Sequence, residues 1–294
     1  MQPTGHIRRI KKTWKSQPTR EGAGVRLKRA FGFNETPELD PFLLLDAFHS
    51  ENPEDYKRGF PWHPHRGIET ITYILDGDVE HGDSLGNRGI ISAGDVQWMT
   101  AGSGIIHQEM PKGNRKGEMW GFQLWSNLPA RHKMMDPRYR EVKQGDIPQV
   151  KTPDGATVRV IAGEVAGVQG PVREIVTEPL FLDVSLPPGK SFTLPVKPGH
   201  TVFAYVAEGE GFFDTSGAFA RETPGAHGEG TVVLYGPGNS VTVSADKKPV
   251  RFLLVAGRPL DEPIAWYGPI VMNTQRELET AFKEYEEGTF VKRT

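Results

Sequence analysis

The sequence has no cysteine. That absence excludes disulfide bonds, thiolate zinc sites, iron–sulfur clusters and thiol nucleophiles together, and it fits a reducing cytosol. No apolar run approaches the roughly 20 residues needed to span a bilayer. The richest early patch, Phe42 to Phe48, is short and broken by Asp46. No apolar segment follows the charged start (Arg8, Arg9, Lys11, Lys12, Lys15), so no signal peptide is read there. The expectation is therefore no membrane partner and a cytoplasmic location, or a nuclear one in a eukaryote. The glycines form neither a GxGxxG nor a GxxxxGK[ST] string. Ser103 sits between two glycines, but the rest of a nucleophile elbow is missing.

Net charge is also nearly absent, with 35 Lys+Arg against 37 Asp+Glu, but it is unevenly placed. Residues 1–30 carry +8, which leaves −10 for the remainder. A basic arm could touch nucleic acid or an acidic partner. Ile7, Ile10 and Trp14 interrupt it, so a solvated edge strand is the preferred reading, and direct nucleic-acid binding is not expected. What is abundant is Gly (34) and Pro (24), which favours many turns and short strands over long helices. The 294 residues suggest one large or two ordinary domains, long enough to bury a core without a staple.

Residues 67–75 are β-branched and aromatic-rich and read as a buried strand. Asp76-Gly77-Asp78 turns, and EHGDSLGN (80–87) reads as a loop with hairpin character in which His81 is solvated. VQWMT (96–100), Ile105 to His107 and MWGFQLW (119–125) continue the pattern between glycine turns. Five further strand-like runs follow at 181–186, 201–209, 230–236, 240–245 and 251–257. The halves align: Tyr73 and Gly77 fall on Tyr205 and Gly209, Gly94 on Gly230, and Gly102 on Gly238. This predicts two copies of one β-barrel. The first spans residues 1–135, a linker spans 136–150, and the second spans 151–294. Thr274 and Glu277 have capping-box spacing before Leu278, Ala281, Phe282 and Tyr285, so a short packing helix closes the chain, stopping at Gly288.

The chemistry concentrates in PWHPHRGIET (61–70). His63 and His65 are two apart, so on a strand both rings project from one face, and Glu69 shares that parity. His107 and Glu109 repeat the spacing. Two such pairs facing one barrel interior can converge on a point. Three neutral imidazoles and a carboxylate make a site for Fe, Mn, Co, Ni, Cu or Zn rather than Cu(I). The alternative is a set of surface or structural histidines. Two pairs, each flanked by strand and glycine turn, favour the metal. Four protein ligands on a six-coordinate ion leave room for a substrate oxygen and a second small molecule.

His63-x-His65-x3-Glu69 with Gly77 resembles the first cupin motif, and Gly94-x5-Thr100-Ala101-Gly102 with His107 the second. Thr100 stands where Pro is usual, and four residues rather than two separate Gly102 from His107. These departures, and the strings FPWHPHRGIETITYILDGDVEHGDSLGN, GSGIIHQEMP and GFQLWSNLP, resemble the pirin subfamily. The resemblance implies an all-β bicupin, two tandem cupin (double-stranded β-helix, or jelly-roll) barrels with one divalent metal ion, normally Fe2+, in the first. It places the ligands on His63, His65, His107 and Glu109. Glu69 is left either to a supporting role, orienting an imidazole, or to a structural one, rather than to direct ligation. In the second barrel, extending each matched block without a gap puts Pro195, Lys197, Val243 and Ala245 at the ligand positions, and these make no metal cage.

Phe60, Trp62, Trp98, Met99, Phe122, Gln123 and Trp125 lie on ligand-bearing or adjacent strands, as pocket walls for a planar aromatic substrate or as ordinary core. Which face of 119–125 turns inward is open at this stage. Several pirins are described as quercetin 2,3-dioxygenases, opening a flavonol ring with O2 and releasing carbon monoxide. The resemblance thus implies a dioxygenase with a small aromatic substrate and O2, and Glu109, the one carboxylate in the ligand set, is the candidate catalytic base. It also implies an alternative: an iron-dependent, redox-sensing interaction protein whose partner is a transcription factor or a metabolic enzyme.

Overall fold

The computed structural model describes residues 6–214 and 225–292. It is all-β, with two cupin barrels and one short helix of three turns near the end. The chain divides into two compact units, residues 17–144 with 260–294, and residues 1–16 with 145–259.

The first unit has a seven-stranded antiparallel sheet facing a four-stranded one. Within the larger sheet the order is Arg138–Val142, Val96–Thr100, Ile68–Asp76, Met119–Asn127, Phe42–Ser50, Val25–Phe31 and Gln17–Glu21. The smaller sheet runs Phe60–His65, Ile105–Pro111, Val79–Asp83 and Arg88–Ile91. Alternation explains the layering, because successive side chains leave a strand on opposite faces. Along Ile105–Pro111 burial alternates at every residue, with Ile105, His107, Glu109 and Pro111 inside. The glycine turns between strands use the left-handed backbone that only glycine adopts freely. At Gly67 (φ +78°) a Cβ would also run into the Val271 carbonyl. Gly77 and Gly209, Gly94 and Gly230, and Gly102 and Gly238 all have positive φ, so the glycines that aligned in sequence do the same work in both copies.

The second unit has an eight-stranded sheet and the Ser191–Pro195/Ser240–Ser244 pair, closed around a hydrocarbon core that includes Phe192, Leu194, Val243 and Phe252. Its register corrects the ungapped alignment. His63 lies opposite His107 in the first unit, and Phe192 lies opposite Val243 in the second. The positions of His63 and His65 therefore fall on Phe192 and Leu194, not on Pro195 and Lys197. The second copy has a longer connection after this strand, which an ungapped match cannot see. All of these replacements are buried hydrocarbon.

The units do not follow chain order as the boundaries 1–135, 136–150 and 151–294 expect. Ile10–Lys15 is an edge strand on Thr231–Tyr235, with Lys12 over the Trp14 ring, so the basic arm is sheet. Arg138–Val142, inside the expected linker, pairs along its whole length with Val96–Thr100. The last segment belongs to the first unit. Val271 joins Leu43, Ile68, Met99, Ala101 and Ile105 in one buried cluster. Ile270 and Met272 cover Leu278 and Ala281 of the Gln275–Glu286 helix. That helix starts with the expected capping box, Thr274 and Glu277 bonding reciprocally. No helix among the described residues is long and apolar enough to cross a membrane.

Candidate metal centre

Phe60–His65 and Ile105–Pro111 run antiparallel, with Ile105 opposite His65 and His107 opposite His63. This pairing brings three imidazoles together from two strands. Their ligand nitrogens all lie within 4.8 Å of one another. His63 Nε2 is 3.1 Å from His65 Nε2 and 2.9 Å from His107 Nε2. His65 and His107 are buried, and His63 is half-buried at the cavity wall.

The outer nitrogens decide what these rings can do. His63 Nδ1 is 2.8 Å from the Pro61 carbonyl and His65 Nδ1 is 3.0 Å from the Pro269 carbonyl. A carbonyl only accepts, so both Nδ1 atoms carry the proton and both Nε2 atoms present lone pairs. Two lone pairs then face each other at 3.1 Å with no proton between them, an arrangement that a cation relieves. Burial, and then the neighbouring rings, hold His65 and His107 well below the usual histidine pKa, which keeps them neutral and ready to ligate. The donor set fits a divalent metal ion of the borderline class.

Glu109 is buried on the same strand but stands outside the three-histidine cluster. Its Oε1 accepts from Thr72 Oγ1 (2.8 Å) and its Oε2 from Gln123 Nε2 (2.7 Å). Each oxygen keeps a further lone pair for a metal or a proton. Gln123 in turn accepts from the Trp125 indole at 3.2 Å, which fixes its amide.

Glu69 goes elsewhere. Gly67 ends the histidine strand, so parity counted from His65 does not carry across the turn. On Ile68–Asp76 it is Thr72 that reaches Glu109, and Glu69, of opposite parity, faces the other way. It accepts from Thr100 Oγ1 at 2.7 Å, and burial raises its carboxyl. His81 is also not the solvated residue its loop-like surroundings suggest. It lies on Val79–Asp83 with its side chain fully buried, its ring 5.5 Å from that of His107. Among the other histidines, His49 stacks on Trp120 and pairs with Glu118.

A cavity of about 590 Å³ opens beside His63 and His65. Gln123 and Trp125 line it, so the inward face of the 119–125 run is Met119, Gly121, Gln123 and Trp125. Phe60 lines it too, whereas Trp98, Met99 and Phe122 are core and Trp62 is half-exposed. At the cavity's polar margin Arg29 makes paired bonds to Asp46 (2.9 and 2.8 Å) and a further contact to Glu21 at 2.9 Å. The wall that sequence reasoning missed comes from the end of the chain: Trp266, Tyr267 and Pro269. Trp125 lies 5.0 Å from His65 and 6.1 Å from Trp266, and Trp266 lies 5.6 Å from Phe33, centroid to centroid. The one hint was AWYGPIVM (265–272), an aromatic pair before a Gly-Pro turn and an apolar run, far along the chain from His63, His65 and His107.

Residues 24–126 match the pirin family and residues 181–291 the pirin C-terminal cupin domain. The chain belongs to the pirin family. A pirin-like protein of Caulobacter vibrioides is 44% identical over 285 residues, covering 97% of this chain and 99% of its own. A Pseudomonas aeruginosa relative, provisionally named quercetin 2,3-dioxygenase, is 43% identical over 275 residues, covering 92% and 94%. Among solved structures, a quercetin 2,3-dioxygenase from Acinetobacter baumannii superposes with a TM-score of 0.87 at 33% identity, covering 97% of this chain and 99% of that one. The pirin fold thus places three histidines and an aromatic cavity side by side in the first unit.

Proposed function

We propose that this pirin is a mononuclear metal dioxygenase acting on a flavonol such as quercetin, with His63, His65, His107 and Glu109 as ligands and iron as the metal. The observation that carries the reading is the convergence of three imidazole nitrogens at the wall of an aromatic-lined cavity. The relatives described as quercetin dioxygenases support the substrate class. A bound divalent ion would act as a Lewis acid, lowering the pKa of the flavonol 3-hydroxyl. Trp125, Trp266 and Phe60 hold the planar rings and exclude water. Glu109, held by Thr72 and Gln123, accepts the 3-hydroxyl proton. The Pro61 and Pro269 carbonyls fix the tautomers of His63 and His65, so no ring must turn when a metal or substrate arrives.

The test is metal analysis of the purified protein followed by anaerobic flavonol titration. The expected outcome is a new absorption band that decays when O2 is admitted, with carbon monoxide released. Full metal occupancy with no spectral change and no flavonol consumed would defeat the enzyme reading in favour of a metal-dependent interaction protein.

A further inference from the structure

The three imidazoles differ in how their outer nitrogens are held. His63 and His65 each give Nδ1–H to a backbone carbonyl. His107 Nδ1 is buried and has no hydrogen-bond partner among the described residues. An imidazole that ligates through one nitrogen gives its other N–H to a carboxylate, a carbonyl or a water. Buried polar groups without any partner are rare because the lost hydration is not replaced.

His81 is the group beside that ring. It lies on Val79–Asp83, the strand next to His107 on the side away from His63. The ring centroids of His81 and His107 are 5.5 Å apart and tilted by 57°. Neither ring nitrogen of His81 has a partner within hydrogen-bond distance among the described residues, although its side chain has no solvent exposure. Asp83 Oδ2 stands 3.7 Å from its Nε2, just beyond direct bonding distance. The Tyr139 ring stacks on it at 5.1 Å, and the buried Gln97 amide lies next to the Tyr139 hydroxyl, again outside hydrogen-bond geometry. The neighbouring His107 and His81 rings thus carry three buried nitrogens with no hydrogen-bond partner among the described residues, beside an Asp83 carboxylate that already accepts from Leu85 and Asn87. Water in protein interiors occupies such places, making two to four bonds to groups that lack protein partners.

We propose that a buried water site lies between His107, His81 and Asp83. The water bonds His107 Nδ1 and the His81 ring; it donates to His107 Nδ1 while His107 Nε2–H bonds His63 Nε2, and accepts the Nδ1–H once His107 Nε2 ligates a metal. His81, held by stacking on Tyr139, is then a positioning residue for the third histidine of the centre. The water site stands without any metal, while the positioning role rests on the metal reading above.

Two measurements on the full chain test it. In crystals diffracting well enough to order internal water, density is expected within hydrogen-bond distance of both His107 Nδ1 and the His81 ring. A His107 Nδ1 bonded directly to a protein group, or no density there, overturns the site. Cobalt(II) binding, followed by visible absorption in competition with a chelator, tests the role. His81→Leu is expected to weaken binding about 10–100-fold and to shift the cobalt bands, and His81→Asn to restore a large part of both. A folded His81→Leu protein with unchanged affinity and unchanged bands overturns the positioning role. If the leucine variant does not fold, an asparagine variant indistinguishable from His81→Gly overturns it equally. Failure of the unaltered protein to bind cobalt at all would overturn the metal reading, and the crystallographic result would still decide the water site.

Discussion

Glu109 shows how much one side chain depends on its holders. A carboxylate between a threonine hydroxyl and a glutamine amide is fixed in direction while keeping lone pairs for other work. Glu109→Gln keeps the shape and removes the basicity. Its amide nitrogen would also face a donor, Thr72 or Gln123. Flavonol turnover is expected to fall by about 10²–10⁴-fold with metal content largely kept, as read by oxygen uptake and elemental analysis. Equal and complete loss of both would make Glu109 a ligand alone. At this scale the three histidines were legible, because a spacing of two on a strand fixes a common face whatever the rest of the fold does. Glu69 and His81 were not. The parity of Glu69 breaks at the Gly67 turn. His81 sits in a stretch whose Gly, Asp, Ser and Asn content reads as loop, although its strand is paired on both sides.

The terminal segment acts as a brace at the scale of elements. Arg66 follows His65 directly and is buried. It bonds the Phe290 carbonyl at 2.9 Å, lies over the Phe290 ring at 4.2 Å, and pairs with Glu284 of the Gln275–Glu286 helix at 2.7 Å. Lys133 ties the Gly67 and Val271 carbonyls to Asn127, at 2.9, 3.1 and 2.6 Å. Burial pushes its pKa down to about 7, yet three carbonyl oxygens match the three protons of an ammonium group. Burial raises the Glu284 carboxyl, but Lys292 and Arg66 outweigh it and leave it below its ordinary value near 4.5. A depressed carboxyl stabilises the fold above its unfolded pKa, and that contribution is lost as pH falls through the folded value. Glu284→Gln should therefore cost about 0.5–1 kcal/mol near neutral pH and nothing below the folded pKa. Urea unfolding of both proteins near pH 7 and in strong acid checks this. A cost that persists in acid would show that the side chain acts by packing rather than by charge.

For the molecule as a whole, chain order and compact units disagree, and this has a consequence for the metal centre. Residues 1–150 contain His63, His65, His107 and Glu109 but not Pro269, Trp266 or Val271. A fragment of residues 1–150 is expected to bind cobalt(II) at least about tenfold more weakly than the full chain, on the scale typical of lost outer-shell partners. Wild-type affinity in a fragment with a circular dichroism spectrum of folded β-structure would show that the terminal segment is dispensable. The sequence by itself determined the class of fold, the repeat, the capped helix and the three histidines. Each of these rests on local backbone periodicity or on glycines that the turns require, and neighbours in sequence suffice to read them. Tertiary structure decided which unit the two ends join, which face of 119–125 looks inward, and which groups orient each imidazole. Those depend on edge pairing and apolar cover between segments more than 200 residues apart, and no short-range pattern encodes such a choice.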